Sequence, residues 1–248
     1  MNPAQIQATA DGAILFDPAC AAQADAAWFD VDAWRARGAA ERAGAGRGDA
    51  WFIAAPWGES VLRHYRRGGL VANLLDDTYL WTGADHTRCF VEFRLLEALY
   101  AKGLPVPRPL AARYVKSGLR YRADLITRRI EQGETLATRL RAGQADASAL
   151  TRVGETIADF HAAGAFHADL NAHNVLLDRE RVWLIDFDRG EWRVPWGAWC
   201  GANLARLKRS LQKVLGDAQN TVEAAYWPPL QAGYERRRTQ LTAAERRA

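Results

Sequence analysis

The sequence predicts an α+β chain of two lobes: a small β-rich lobe with an N-terminal extension over residues 1–131, and a mainly helical lobe over residues 132–248. Three observations carry this expectation. Strand-like runs pair up in the first half, at residues 50–54 with 60–65 and at 111–115 with 122–129, around a single helical stretch. A polar crossover, Glu131-Gln132-Gly133-Glu134, then ends the run of strands as a hinge would. Beyond it the apolar spacing is helical. The bulk numbers agree: 248 residues, 49% hydrophobic and 25% charged, describe a globular chain long enough to bury a real core.

Taken in order, residues 19–37 carry Trp28, Phe29, Val31 and Trp34 at amphipathic spacing, a helix whose aromatics are expected to pack on the protein body. Gly44, Gly46 and Gly48 precede the first strand, where a glycine-rich loop would offer backbone amides to phosphates. A turn at Pro56-Trp57-Gly58 joins the strands at 50–54 and 60–65; alternation sets Arg63 on the side of Val61 and Tyr65, opposite Leu62. The helix over 87–102 closes at Gly103. Glu92 shares its face with Leu95, Leu96 and Leu99, and a carboxylate on an apolar face requires a cation, for which Arg63 is the candidate. A helix begins at Thr135, a second covers 149–163 and a third 203–215, with a tryptophan-rich stretch (Trp192, Trp196, Trp199) before the last. The arginines at 236–238 and 246–247 read as a solvated helix face.

Between the second and third helices lies the densest chemistry. His167-Ala168-Asp169-Leu170-Asn171-Ala172-His173-Asn174 fits H-x-D-L-x-x-x-N, the catalytic-loop pattern of protein-kinase-like enzymes, and Asp186-Phe187-Asp188 stands where those enzymes carry D-F-G. Phosphoryl transfer requires one carboxylate at the acceptor hydroxyl, and an amide oxygen plus a second carboxylate on Mg²⁺ at the nucleotide phosphates. The hairpin of residues 175–185 returns the chain so that Asp186 meets Asn174. Asp169 is therefore the expected catalytic base, Asn174 and Asp186 the expected Mg²⁺ ligands, and ATP the expected phosphoryl donor. Asp188 either joins the metal site or caps the following turn.

The strings from Val61 to Gly69 (V-L-R-H-Y-R-R-G-G), from His167 to Asn174, and from Ile185 to Gly190 resemble those of 3-deoxy-D-manno-octulosonic acid (Kdo) kinases, over roughly residues 40 to 215. The resemblance implies a bilobal protein-kinase-like fold with a shortened activation segment. It also implies ATP-dependent phosphorylation of the 4-hydroxyl of a Kdo residue on a lipid A precursor, by an enzyme peripheral to the cytoplasmic face of a bacterial inner membrane. Arg66, Arg67 and Asn171 become candidates for contacting an anionic acceptor, and Arg63 takes the strand position of the usual nucleotide-binding lysine. Ala168 replaces the arginine that reads a phosphorylated activation segment, and no A-P-E follows.

The net charge of +4 favours anionic partners, an anionic membrane surface among them, without choosing one. Nucleic acid is not expected, because aromatics are not interleaved with the arginines. Cys20, Cys89 and Cys200 are few and far apart, so reduced thiols in a cytosolic compartment are expected. No signal peptide is expected in residues 1–17. The alternatives are a kinase-like transferase acting on another small hydroxyl compound or on protein, and a binding-only pseudokinase; the presence of Asp169, Asn174 and Asp186 opposes the last.

Overall fold

The computed structural model describes residues 3–43, 50–66, 77–216 and 219–246. They fall into two compact units, Met1–Ala98 with Pro107–Arg129, and Leu99–Val106 with Ile130–Ala248.

The first unit is built on an antiparallel sheet. Its strands are β1 (Gln5–Ala8), β2 (Gly12–Phe16), β3 (Ala40–Arg42), β4 (Ala50–Ala55), β5 (Gly58–His64), β6 (Tyr79–Leu80), β7 (Pro109–Ser117) and β8 (Arg120–Arg128). They run in the order β1-β2-β7-β8-β5-β4-β3, with β6 on β8. Pro56-Trp57 forms the two-residue turn between β4 and β5, and Gly58 leaves it at φ 108°, a conformation that disfavours a side chain. One sheet face buries Ile14, Phe16, Ile53, Leu62 and Ile126 against Trp28, Phe29 and Trp34. Those aromatics do pack inward, but not from one helix. Asp25 caps a 3₁₀ turn over Ala26–Phe29, and Asp30 caps α1 (Val31–Ala36), because each aspartate captures the backbone amides that a continuous helix would use. The other face carries α2 (Arg88–Ala101), whose Phe90 ring meets Tyr114 edge-on at 5.3 Å.

In the second unit, α3 (Leu136–Arg141) is capped by the Thr135 hydroxyl, and α4 (Ala147–Ala162) by Asp146. The small sheet β9 (Glu134–Thr135), β11 (Val175–Leu177) and β12 (Val182–Leu184) contains the predicted hairpin, with Asp178 accepting from the amides of Glu180 and Arg181 in its turn. A second pair joins β10 (Ala165–Phe166) to β13 (Glu191–Trp192), and residues 189–198 are all that separate the D-F-D segment from α5 (Trp199–Leu215). The last helix, α6 (Trp227–Glu245), lies against α4 with almost no space between backbones. A Cβ on Gly154 would stand 2.0 Å from the Leu230 carbonyl oxygen, and one on Gly233 would stand 2.2 Å from that of Thr151. Gly154→Ala is therefore expected to lower stability by about 2–3 kcal/mol through overpacking, read as a lowered denaturant midpoint; an unchanged midpoint would mean the two helices do not touch as described.

That docking changes the reading of the basic tail. Arg236 pairs with Glu155 at 2.6 Å and Arg237 with Asp159 at 2.7 Å, both acids on α4. The helix face expected to be solvated is in part a seam, and these two arginines are committed to it. No helix among the described residues is long and apolar enough to cross a membrane.

Candidate active site

In the second unit, α4 stops at Ala163, Gly164 turns at φ 75°, and β10 delivers the chain to His167. The imidazole is buried. Its Nδ1 accepts from the Asp169 amide at 3.1 Å, which leaves Nε2 as the protonated nitrogen, donating to the Ile185 carbonyl at 2.9 Å. Burial holds the imidazole below the usual histidine range, so it stays neutral and keeps this tautomer. Its ring lies 4.6 Å from that of Phe187, which stacks on Phe160 at 5.7 Å. The His167 carbonyl in turn accepts from Asn203 Nδ2 at 2.9 Å. One side chain thus ties the loop to the D-F-D segment, while its carbonyl ties the same loop to α5.

Around that anchor the loop is held by amide side chains. Asn171 Oδ1 accepts from the amides of His173 (2.8 Å) and Asn174 (3.2 Å), and Asn171 Nδ2 donates to Asp169 Oδ2 at 3.0 Å. Asn174 is buried and gives its Nδ2 to the Asp169 carbonyl at 3.0 Å, so the opposite end of its amide is the oxygen. The Ile185 amide donates to the Asn174 carbonyl at 3.0 Å, which extends the hairpin register and brings Asp186 beside Asn174. Asp186 adopts φ 64°, a left-handed conformation that Asp and Asn tolerate better than most residues. An amide oxygen and a carboxylate oxygen are hard donors, the kind Mg²⁺ takes, and the fixed orientation of Asn174 fits that use.

Asp169 is half exposed, and its Oδ1 accepts from Arg206 at 2.7 Å. Arg206 had no place in the sequence reading, because its contact spans 37 residues. The signal available was helical spacing: Asn203 and Ser210 flank it at three before and four after, and both bind the loop, Ser210 Oγ accepting from the Ala172 amide at 3.0 Å.

In the first unit, β5 and the residue after it present Arg63 and Tyr65 to α2. Arg63 Nη2 and the Tyr65 hydroxyl each lie 2.5 Å from Glu92 Oε2, and the guanidinium sits 4.5 Å from the centre of the Tyr65 ring. Glu92 is only 2% exposed. Burial, and then the neighbouring carboxylate, push the Tyr65 phenol well above its ordinary pKa, so it serves as a donor to Glu92. The predicted pairing of Arg63 with Glu92 is present; Tyr65, which alternation sets on the side of Arg63, is a second partner that the sequence did not single out. Arg63→Ala would leave the buried Glu92 without this cation, with Tyr65 still donating to it, and is expected to cost about 2–3 kcal/mol in stability by chemical denaturation. A change below about 0.5 kcal/mol, ordinary for a surface substitution, would contradict that role.

Of the remaining predicted residues, Arg66 lies apart from this cluster. Arg66 lines a cavity of about 660 Å³ on the α1 side of the sheet, with His64, Arg113 and Asp124, on the opposite face from Arg63. There Asp124 holds His64 above the usual histidine pKa range through a 2.7 Å hydrogen bond. Gly44, Gly46, Gly48 and Arg67 lie outside the described residues.

Comparison with known proteins bears on the family of the chain. The profile of the lipopolysaccharide kinase (Kdo/WaaP) family matches residues 31–234. A protein of Stenotrophomonas maltophilia (strain R551-3) named 3-deoxy-D-manno-octulosonic acid kinase is 54% identical over 208 residues, 83% of this chain and 82% of that protein. Proteins of the same name from Xanthomonas campestris pv. campestris (strain B100) and Xylella fastidiosa (strain 9a5c) are 52% and 47% identical, covering 83% and 87% of this chain and 82% and 86% of theirs. A solved structure of WaaP in complex with acyl carrier protein shares the fold, with a TM-score of 0.50 and 16% identity, over 88% of this chain and 90% of that one. The two-unit α+β architecture, the H-x-D-L-x-x-x-N loop knotted to its D-F-D segment, and these matches together show that the chain belongs to the lipopolysaccharide kinase (Kdo/WaaP) family.

Proposed function

We propose that this enzyme transfers the γ-phosphoryl group of ATP to the 4-hydroxyl of a Kdo residue on a lipid A precursor, in lipopolysaccharide core biosynthesis. The observation that carries the chemistry is the assembly of Asp169, Asn174 and Asp186 around the neutral, buried His167. The acceptor is supported by the name shared among relatives that are about half identical over most of the chain.

Asp169 is the residue to meet the acceptor hydroxyl. Its carboxylate, paired with Arg206 and oriented by Asn171, accepts the hydroxyl proton as the new O–P bond forms; the bond between the γ-phosphorus and the bridging oxygen breaks, and ADP leaves with that electron pair. Asn174 and Asp186 would hold Mg²⁺, which when bound offsets the negative charge of the nucleotide phosphates. Arg63, oriented by Glu92 and Tyr65, serves the ATP phosphates, and its forked guanidinium suits two phosphate oxygens where lysine would offer a point charge.

The enzyme meets its lipid-linked acceptor peripherally, at the anionic cytoplasmic face of the inner membrane. Exposed Trp192 (46%) and Val194 (78%), two residues apart at β13, are side chains suited to that contact. The test is an ATP-consumption assay with Kdo-lipid A precursor, free Kdo and a generic protein offered in parallel. Turnover with the Kdo acceptors and none with protein is expected. Turnover with protein alone would replace this reading with that of a protein kinase.

A further inference from the structure

The second unit contains a cavity of about 500 Å³ on one side of Asp169, lined by Asp169, Asn171 and His173 of the loop and by Arg141, Arg206, Arg209 and Lys213, among others. We infer that this cavity seats the anionic group of the acceptor, with Arg141, Arg209 and Lys213 as its contacts. The inference rests on the Kdo-kinase reading above and names residues for a part of the site that reading leaves open.

Position is the first ground. Asp169 lines the cavity, whereas Asn174 and Asp186 do not, so the space borders Asp169 without including the pair assigned to the metal. An acceptor hydroxyl has to reach Asp169 from somewhere other than the metal side, and this is a described space that borders it.

The second ground is how the walls are built. Ala172 bonds to both helices: its carbonyl accepts from the Ala137 amide of α3 at 3.0 Å, and its amide donates to Ser210 of α5 at 3.0 Å. Arg141 comes from the end of α3. Arg206, Arg209 and Lys213 follow at spacings of three and seven on α5, hence on one face. A loop with two helices clamped to one of its residues is a defined wall, in which the cations keep their places relative to Asp169.

Charge is the third. Among the described residues lining the cavity, Asp169 is the one carboxylate, and it is already paired with Arg206. The arginines of α6 make the contrast, since Arg236 and Arg237 each face an acid of α4. A concave wall carrying four cations against one carboxylate concentrates positive potential, and oxyanions are the ligands it attracts. Guanidinium groups bind carboxylate and phosphate through paired charge-assisted hydrogen bonds. Both chemistries exist on a lipid-linked octulosonic acid: the acid's own carboxylate, and phosphate on the lipid-linked sugars.

The experiment measures initial rates against acceptor concentration at saturating ATP for the wild-type enzyme and for Arg141→Gln, Arg209→Gln and Lys213→Gln. Arg236→Gln removes the same charge outside the cavity and serves as control. Each cavity variant is expected to raise the acceptor KM roughly tenfold, the equivalent of one hydrogen bond to a charged group, with the KM for ATP and the melting temperature unmoved and the control near wild type. Running free Kdo beside Kdo-lipid A separates the two sources. A rise with both acceptors assigns the carboxylate, and a rise with the lipid-linked acceptor alone assigns phosphate. Variants that keep the wild-type acceptor KM, in an enzyme active on Kdo, would overturn the assignment. A wild-type enzyme inert towards both Kdo acceptors would remove the Kdo reading itself, and this assignment with it.

Discussion

Asp169→Asn is expected to lower turnover about 10²–10⁴-fold, the contribution of one positioned general base, while the KM for ATP changes little. The substitution is nearly isosteric, and the loop does not depend on the charge it removes. Asn171 still bridges to the amides of His173 and Asn174, and His167 still holds the Asp169 amide. An asparagine can even keep an oxygen towards Arg206. What it cannot do is accept the hydroxyl proton. Steady-state rates with a Kdo acceptor, beside thermal unfolding to establish that the variant is folded, provide the measurement. A folded Asp169→Asn enzyme with near-normal turnover would place the base elsewhere.

Loss of the Asp186 carboxylate is expected to have the next largest effect, raising the Mg²⁺ concentration required for half-maximal activity roughly a hundredfold or more, since a ligand contributes at least as much as the groups that merely orient it. The choice of substitution matters. Asp186 sits at φ 64°, where alanine costs about 1–2 kcal/mol of backbone strain and asparagine much less. Asp186→Asn therefore separates lost charge from lost conformation, and Asp186→Ala shows both. ATP binding followed by calorimetry with and without Mg²⁺ gives a readout independent of turnover: the Mg²⁺-dependent part of the affinity is expected to shrink in Asp186→Asn. An unchanged metal requirement in both variants would remove Asp186 from the metal site.

Much of this arrangement was legible from the chain alone, for local reasons. Residues 167–174 lie in one tight loop, so the spacing of His167, Asp169, Asn171 and Asn174 already fixes which of them meet, and the hairpin that follows is short enough for its register to be counted to Asp186. Arg63 and Glu92 are 29 residues apart, yet each was placed by a strong periodicity, one of a strand and one of a helix, and the buried carboxylate demanded a cation.

What stayed hidden depended on distant surfaces. Ala13, Ile14, Leu15 and Phe16 are all buried, so β2 is a continuous apolar run without alternation, and its β1 partner is too polar to stand out; the hairpin they form escaped prediction. Strands of two residues, at 165–166 and 191–192, are too short for any period to register. The helix expected over residues 19–37 was interrupted by Asp25 and Asp30, whose side chains cap shorter pieces. The pairing of Arg236 and Arg237 depends on which face of α4 meets α6, a choice set by Gly154 and Gly233 rather than by the arginines. Arg206 and the cations beside it belong to the same class, since a helix face becomes part of a site only once its docking partner is known.

The most direct test of the central claim is mass spectrometry of lipid A-core precursors from cells that make the Kdo-bearing precursor and carry either the wild-type chain or Asp169→Asn as their only copy. Phosphate on the Kdo residue, at its 4-hydroxyl, is predicted with the wild-type chain and absent with the variant. Kdo equally phosphorylated, or equally unphosphorylated, in the two would contradict it.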